Sequence, residues 1–157
     1  MREYIVPTVV LLFAPWVTAQ TVPAGWQTIK DSKGACQMAV PADWAPYGET
    51  GGVAVFHDVA TAIAVVTSQP EQAFKPLPDA LQRVMGIPKE KMFENSAKRI
   101  FYQDKTSQNQ EDPNGFSVAV PGKTGTCSAH LTVLPGISQE LARKIALTLA
   151  PEGSPGS

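Results

Sequence analysis

The sequence predicts an α+β fold, an antiparallel sheet of about six strands with helices packed on it. Short runs of residues that alternate between apolar and polar side chains are separated by turns rich in Gly, Pro, Asn and Asp. Such turns favour hairpins, and hairpins pair their strands antiparallel. Two other segments have apolar residues at a spacing of three and four, which is typical of amphipathic helices.

The strand with the clearest inner face covers residues 35–40. Cys36, Met38 and Val40 lie on one face, and Pro41 lacks the amide hydrogen that would continue the pairing. Alternation and flanking turns predict the further strands at 26–30, 53–58, 62–67, 98–104, 116–120 and 126–134. A glycine-rich loop is predicted over residues 45–52.

Helical spacing predicts a first helix over 79–85, and Pro88 favours a second, short helix over 89–95. The last helix begins after Ser138, a good N-cap residue, and ends at Pro151. It is amphipathic, and its apolar stripe consists of Leu141, Ala142, Ile145, Ala146 and Leu149. The Pro, Gly and Ser content of residues 151–157 predicts a disordered tail.

Residues 1–19 have the pattern of a cleavable signal peptide. Arg2 and Glu3 precede an apolar run over 4–17 that is too short to span a bilayer, and the segment ends in a cleavage pattern at Ala19. We therefore expect export to the periplasm or the extracellular space, with no later membrane-spanning segment. The alternative, that this stretch is a buried core strand, stays open.

Residues 20–150 are enough for one hydrophobic core and predict a single domain. The whole chain has 13 basic and 14 acidic side chains, with no run of like charge. Binding to nucleic acid and attraction to anionic membranes both need basic clusters, so we expect neither. An envelope protein or a small ligand remains as the expected partner, and the oligomeric state is left open.

Cys36 and Cys127 are predicted to form a disulfide, because two cysteines in an exported chain most often pair. The strand alternation agrees, since it places both sulfurs on apolar faces: Cys127 shares its face with Ala129 and Leu131. The alternative is a reactive thiol, which needs a partly exposed, electropositive setting.

His57 and His130 are the candidates for acid–base chemistry. Asp58 cannot readily orient His57, since neighbours on a strand point to opposite faces. Ser117 follows a sequence like the start of a nucleophile elbow, but Ala119 stands where the second Gly belongs and Ser117 lies within a predicted strand. We predict no catalytic residue, no cofactor and no metal, while a site that combines the two histidines with a carboxylate stays open.

Trp44 and Tyr47 are the candidates for an aromatic binding surface, because they lie on the glycine-rich loop. The alternative for Trp44 is a place at one end of the core, since large aromatic side chains near strand ends usually bury their area.

The chain resembles the PsbP-like fold family, which includes extrinsic subunits of photosystem II. The resemblance rests on Trp26, on Gly34, on a strand that ends in the sequence Val-Pro-Ala-Asp-Trp over 40–44, and on the amphipathic helix near the carboxyl end. It implies an antiparallel sheet between helices and an accessory, non-catalytic role. Cys36 stands where that family usually has an aromatic residue, which suggests a separate branch of exported bacterial proteins.

The expected function is that of an exported, non-enzymatic binding or accessory domain. The alternatives are a small envelope hydrolase with a site around His57 and His130, and a structural envelope protein. An apolar pocket with converging polar groups would favour a ligand or an enzyme, whereas a flat, exposed aromatic patch would favour a protein partner.

Overall fold

The structure is a computed structural model that describes residues 22–47, 53–56, 62–104, 115–133 and 138–153. Within these residues the chain forms ten strands and two α-helices. In chain order the elements are β1 (Trp26–Lys30), β2 (Cys36–Pro41), β3 (Ala45–Tyr47), β4 (Val53–Phe56), β5 (Ala62–Gln69), α1 (Asp79–Val84), β6 (Met92–Asn95), β7 (Ile100–Asp104), β8 (Gly115–Pro121), β9 (Thr126–Val133), α2 (Gln139–Ala146) and β10 (Ala150–Pro151). The predicted signal peptide lies outside the described residues.

The described strands form two antiparallel sheets. One has the order β1-β2-β10, and the other has the order β3-β4-β5-β9-β8-β7-β6. The α+β class and the antiparallel pairing are confirmed, but the prediction of one sheet with about six strands is wrong. Alternation shows which residues of a strand share a face but not which strands pair, so the sequence could not separate the two sheets.

The prediction of a short helix over residues 89–95 is also wrong. Lys89–Lys91 form one turn of 3-10 helix, and Met92–Asn95 form β6, which pairs with β7. The strand brings the Phe93 ring to 5.0 Å from the Phe101 ring, measured between centroids. This aromatic packing on the core side explains why tertiary contacts override the local helical signal.

The amphipathic helix α2 begins as predicted but ends early. The Ser138 side chain accepts a hydrogen bond from the Leu141 amide at 3.1 Å, as an N-cap does. After Ala146 the chain leaves the helix, because the Thr148 hydroxyl donates to the Ile145 carbonyl at 2.7 Å and accepts from the Ala39 amide at 2.9 Å. The helix is therefore followed by a strand, β10, and is not the last element.

The residues after α2 bind to the three-stranded sheet. In β10, Pro151 lies opposite Cys36, and the next residue, Glu152, pairs with Lys30 at 3.0 Å. The described chain thus continues past residue 150, where the sequence predicted the domain to end. Among the described residues, no helix has the length and apolarity needed to cross a membrane.

The core lies between the two sheets and α2, which contacts β2, β8 and β9. Its largest fully buried side chains are those of Met38, Val40, Val66, Phe101, Leu131, Ile145 and Leu149. Cys36 of β2 and Cys127 of β9 form a disulfide within this core, and each is only 1% exposed. The predicted bridge is confirmed, and it joins the three-stranded sheet to the middle of the seven-stranded sheet.

Asp31 joins the two sheets beside the disulfide. Its carboxylate accepts hydrogen bonds from the Cys36 amide at 2.8 Å and from the Ser68 hydroxyl at 2.6 Å. Burial raises the pKa of the Asp31 carboxyl, but these bonds and those from the Lys33 and Ala35 amides outweigh burial, so the pKa lies below its ordinary value. Asp31 is therefore held ionised as a structural acceptor.

Candidate functional site

The seven-stranded sheet has a second face, which points away from α2 and the disulfide. In β9 the alternation is clear: Cys127, Ala129 and Leu131 are buried in the core, whereas Ser128 and His130 point to the opposite side and are partly exposed. Strand pairing then decides which side chains of neighbouring strands meet on that second face.

The strand register places polar side chains next to one another on this face. His130 lies opposite Val65 of β5 and Ser117 of β8. One step along the strands, Ser128 lies opposite Thr67 and Ala119. We call Thr67, Ser117, Ser128 and His130 the polar floor. Its members come from three adjacent strands, β5, β9 and β8, so the rigid centre of the sheet positions them.

A segment between β5 and β6 covers this face, and we call residues 72–85 the cover segment. It contains an extended stretch followed by α1. Between the cover segment and the polar floor lies a cavity of about 600 Å³. The cover lines it with the apolar side chains of Phe74, Pro76, Leu77, Pro78, Leu81 and Met85. From the sheet side, Val65, Ile100 and Ala119 add further apolar surface.

The cover segment is held by its backbone at two points. The Asn95 side-chain amide donates to the Leu77 carbonyl at 2.9 Å and accepts from the Leu77 amide at 2.8 Å. At the other end, the Thr126 hydroxyl donates to the Gln72 carbonyl at 2.7 Å. These bonds fix the path of the chain above the floor without filling the space beneath it.

The outer half of the cover segment is lightly packed. Helix α1 has no buried residue; its apolar side chains Leu81 and Val84 are 43% and 83% exposed, and Met85, which follows the helix, is 46% exposed. Of these three, Leu81 and Met85 line the cavity and Val84 does not. A segment with few buried apolar contacts opens at low free-energy cost.

Two hydrogen-bonded pairs organise the polar floor. Nδ1 of His130 lies 3.0 Å from the Ser117 hydroxyl, and the Thr67 and Ser128 hydroxyls are 2.8 Å apart. Among the described residues, Nε2 of His130 has no hydrogen-bond partner, and it is not sealed from solvent. The imidazole is therefore oriented from one side by Ser117, and the residue lines the cavity.

The described lining includes one cationic side chain, Lys75, and no carboxylate. Lys75 is exposed and belongs to the extended part of the cover segment. Elsewhere in the described part of the chain, no three His, Cys, Asp or Glu side chains are grouped so that they could hold a metal ion. The prediction that the protein binds no metal stays a prediction.

The other sequence candidates do not join this site in the described chain. Trp44 is 2% exposed and lies in the core, which is the alternative that the sequence left open. Tyr47 belongs to β3, and His57 lies outside the described residues. A combined site of His57 and His130 is therefore untested, whereas His130 itself lines the cavity.

Sequence reasoning missed the cavity, because its lining comes from four strands and the cover segment. One signal was present: residues 73–78 read Ala-Phe-Lys-Pro-Leu-Pro, an apolar stretch that two prolines keep out of both helix and sheet. Apolar side chains on such an extended segment need a surface to pack against, and here that surface is the second face of the sheet.

Comparisons of the chain with protein-family models, with curated proteins and with solved structures found no match. The fold and the site therefore define the class of protein by themselves. It is an α+β domain with an apolar cavity between one face of a sheet and the cover segment. The resemblance to the PsbP-like family stays a prediction.

Proposed function

We propose that this protein is an exported, non-enzymatic domain that binds a small amphipathic molecule between the cover segment and the polar floor. The observation that carries the proposal is the cavity of about 600 Å³, which has apolar walls and a compact group of polar side chains at its base. Export is part of the proposal, and the buried disulfide supports it, since such bonds persist in oxidising compartments.

The size and chemistry of the cavity support a ligand rather than a protein partner. Sites for small molecules have volumes of roughly 300 to 1,000 Å³ and combine mainly apolar linings with a few polar groups that set orientation. Here Leu77, Leu81 and Ile100 would contact the apolar part of the ligand. The hydroxyl pair of Thr67 and Ser128 and the imidazole of His130 would contact its polar end.

The hydrogen bond between Ser117 and His130 is the one observation that favours the alternative of a hydrolase. Ser117 lies in the middle of β8, which is paired with β7 on one side and with β9 on the other. The backbone amides around a residue in such a strand are engaged in the two ladders and cannot turn to stabilise an oxyanion. We therefore assign the pair to ligand orientation, with Ser117 fixing the imidazole.

Two substitutions on α1 test where a ligand binds. Leu81 and Val84 are both exposed and apolar, but only Leu81 lines the cavity. We expect the uncharged fluorophore N-phenyl-1-naphthylamine to bind at one site per chain. Leu81→Asp places a charge in the apolar wall, and we expect it to weaken the binding about tenfold, the equivalent of ~1.4 kcal/mol. Fluorescence titration measures the affinity.

Val84→Asp is the matched control, since it adds the same charge to the same helix outside the cavity. It should leave the affinity for the fluorophore unchanged. Equal effects of the two substitutions, or wild-type protein that does not bind the fluorophore, would contradict the proposed function. Thermal unfolding of both variants verifies that they fold, which the exposure of both positions favours.

A further inference from the structure

We infer that the natural ligand is an amphipathic carboxylate, a molecule with an apolar body and one anionic end. This inference rests on the proposed function and adds the chemistry of the polar end. It is carried by the charges and the hydrogen-bond donors around the cavity, which all favour an anion.

The first argument is the charge of the described lining. Lys75 supplies a positive charge, and no carboxylate lines the cavity with it. The nearest acidic residues along the chain are Glu71, just before the cover segment, and Asp79, within it; both are exposed and outside the lining. Of the described charged side chains, Lys75 is therefore the one that borders the space for a ligand.

The second argument is the number of hydrogen-bond donors on the polar floor. The Thr67 and Ser128 hydroxyls bond each other at 2.8 Å, and the Thr67 hydroxyl also donates to the Ser128 carbonyl at 3.5 Å, the long limit of a hydrogen bond. A hydroxyl rotates, so the Thr67 hydrogen can turn from this weak acceptor to a ligand oxygen. His130 lines the cavity, and its Nε2 is a hydrogen-bond donor in the tautomer in which Nδ1 accepts from the Ser117 hydroxyl. A carboxylate only accepts hydrogen bonds, so both groups match it.

The charge of Lys75 and the donors of the polar floor disfavour the other common polar end groups of amphipathic molecules. An ammonium group would be repelled by Lys75 and would find no carboxylate in the described lining. An alcohol can use the floor donors but gains nothing from the positive charge. Hydrogen bonds to an ionised acceptor are roughly twice as strong as those between neutral groups, so the carboxylate benefits most.

A series of ten-carbon molecules with one tail and three different ends tests the inference. Decanoate, 1-decanol and decylamine are titrated against the wild-type protein loaded with N-phenyl-1-naphthylamine, and the loss of fluorescence reports displacement. We expect decanoate to compete about tenfold more strongly than 1-decanol, because charge-assisted hydrogen bonds are the stronger ones. Decylamine should be the weakest of the three.

Lys75→Gln removes the positive charge and keeps a long polar side chain. We expect this substitution to weaken the binding of decanoate about threefold, because the ion pair is partly solvated, and to leave the binding of 1-decanol unchanged. Lys98→Gln is the matched control, because Lys98 is also exposed but does not line the cavity. It should change neither affinity.

The outcomes separate the two proposals. If the fluorophore binds and the three ten-carbon molecules displace it equally well, or decylamine does so best, the carboxylate inference is overturned and the proposed function stands. If Lys75→Gln and Lys98→Gln weaken the binding of decanoate to the same extent, Lys75 does not bind the anionic end and the inference is likewise overturned. If the fluorophore itself does not bind, the proposed function fails, and the inference fails with it.

Discussion

Removal of the disulfide between Cys36 and Cys127 is expected to lower the free energy of unfolding by about 4 kcal/mol, because it frees a loop of roughly a hundred residues in the unfolded chain. The two cysteines are 91 residues apart. The bond also fixes β2 against β9, so the three-stranded sheet loses its covalent link to the rest of the domain. Urea unfolding of the double variant Cys36→Ala/Cys127→Ala, compared with the wild type, measures the loss.

Reduction of the wild-type protein is the control for the lost sulfur atoms, since it breaks the bond and leaves the side chains in place. The reduced protein should be destabilised slightly less than the double variant, which also loses buried sulfur. Unfolding midpoints that do not change on reduction, or two free thiols in protein recovered from the exporting host, would contradict this prediction.

Gly125→Ala is expected to lower the free energy of unfolding by about 2 to 5 kcal/mol. This is the sum of two energies, one for a left-handed backbone at a residue with a Cβ and one for a steric overlap. Gly125 has φ +82°, and a Cβ there would overlap the backbone oxygens of Gln69 and Pro70. These residues lie where the chain leaves β5 for the cover segment. The variant should therefore also weaken binding of the fluorophore, as the cover loses its path above the sheet.

Gly34→Ala separates the two costs. Gly34 also has a positive φ, +65°, but a Cβ there would meet no atom within 4 Å. Gly34→Ala should lower the free energy of unfolding by only about 1 to 2 kcal/mol and leave the affinity for the fluorophore unchanged. Urea unfolding measures both variants. Equal losses of stability in the two variants would mean that the close approach of Gly125 to Gln69 and Pro70 does not contribute to the effect of Gly125→Ala.

The parts of this structure that sequence reasoning predicted are those fixed by local alternation. In β2 and β9 the residues that alternate with Cys36 and Cys127 are apolar and buried, so the sequence alone predicts the inward direction of both cysteines, although Ala39 and Thr126 are buried too. Ser138 was likewise predicted as an N-cap, because capping depends on a few neighbouring residues. His130 was assigned to the polar side of its strand for the same reason.

The parts that failed depend on contacts between distant residues. Met92–Asn95 form a strand because β7 and the Phe101 ring lie beside them, and α2 ends where Thr148 bonds Ala39 of β2. The cavity is the extreme case. Its floor requires the registers of β5, β9 and β8, and its roof requires the anchoring of Leu77 by Asn95. No local pattern encodes such a combination.

The position of a bound molecule is the most direct test of this account. In the complex of the protein with N-phenyl-1-naphthylamine, isotope-filtered NMR detects protein methyl groups close to the fluorophore. We predict contacts with methyl groups of Leu81, Met85 and Ile100, which line the cavity, and none with Ile145 of α2, which is buried on the opposite side of the sheet. Contacts with Ile145, or with Val84 but not Leu81, would contradict the assignment of this cavity as the binding site.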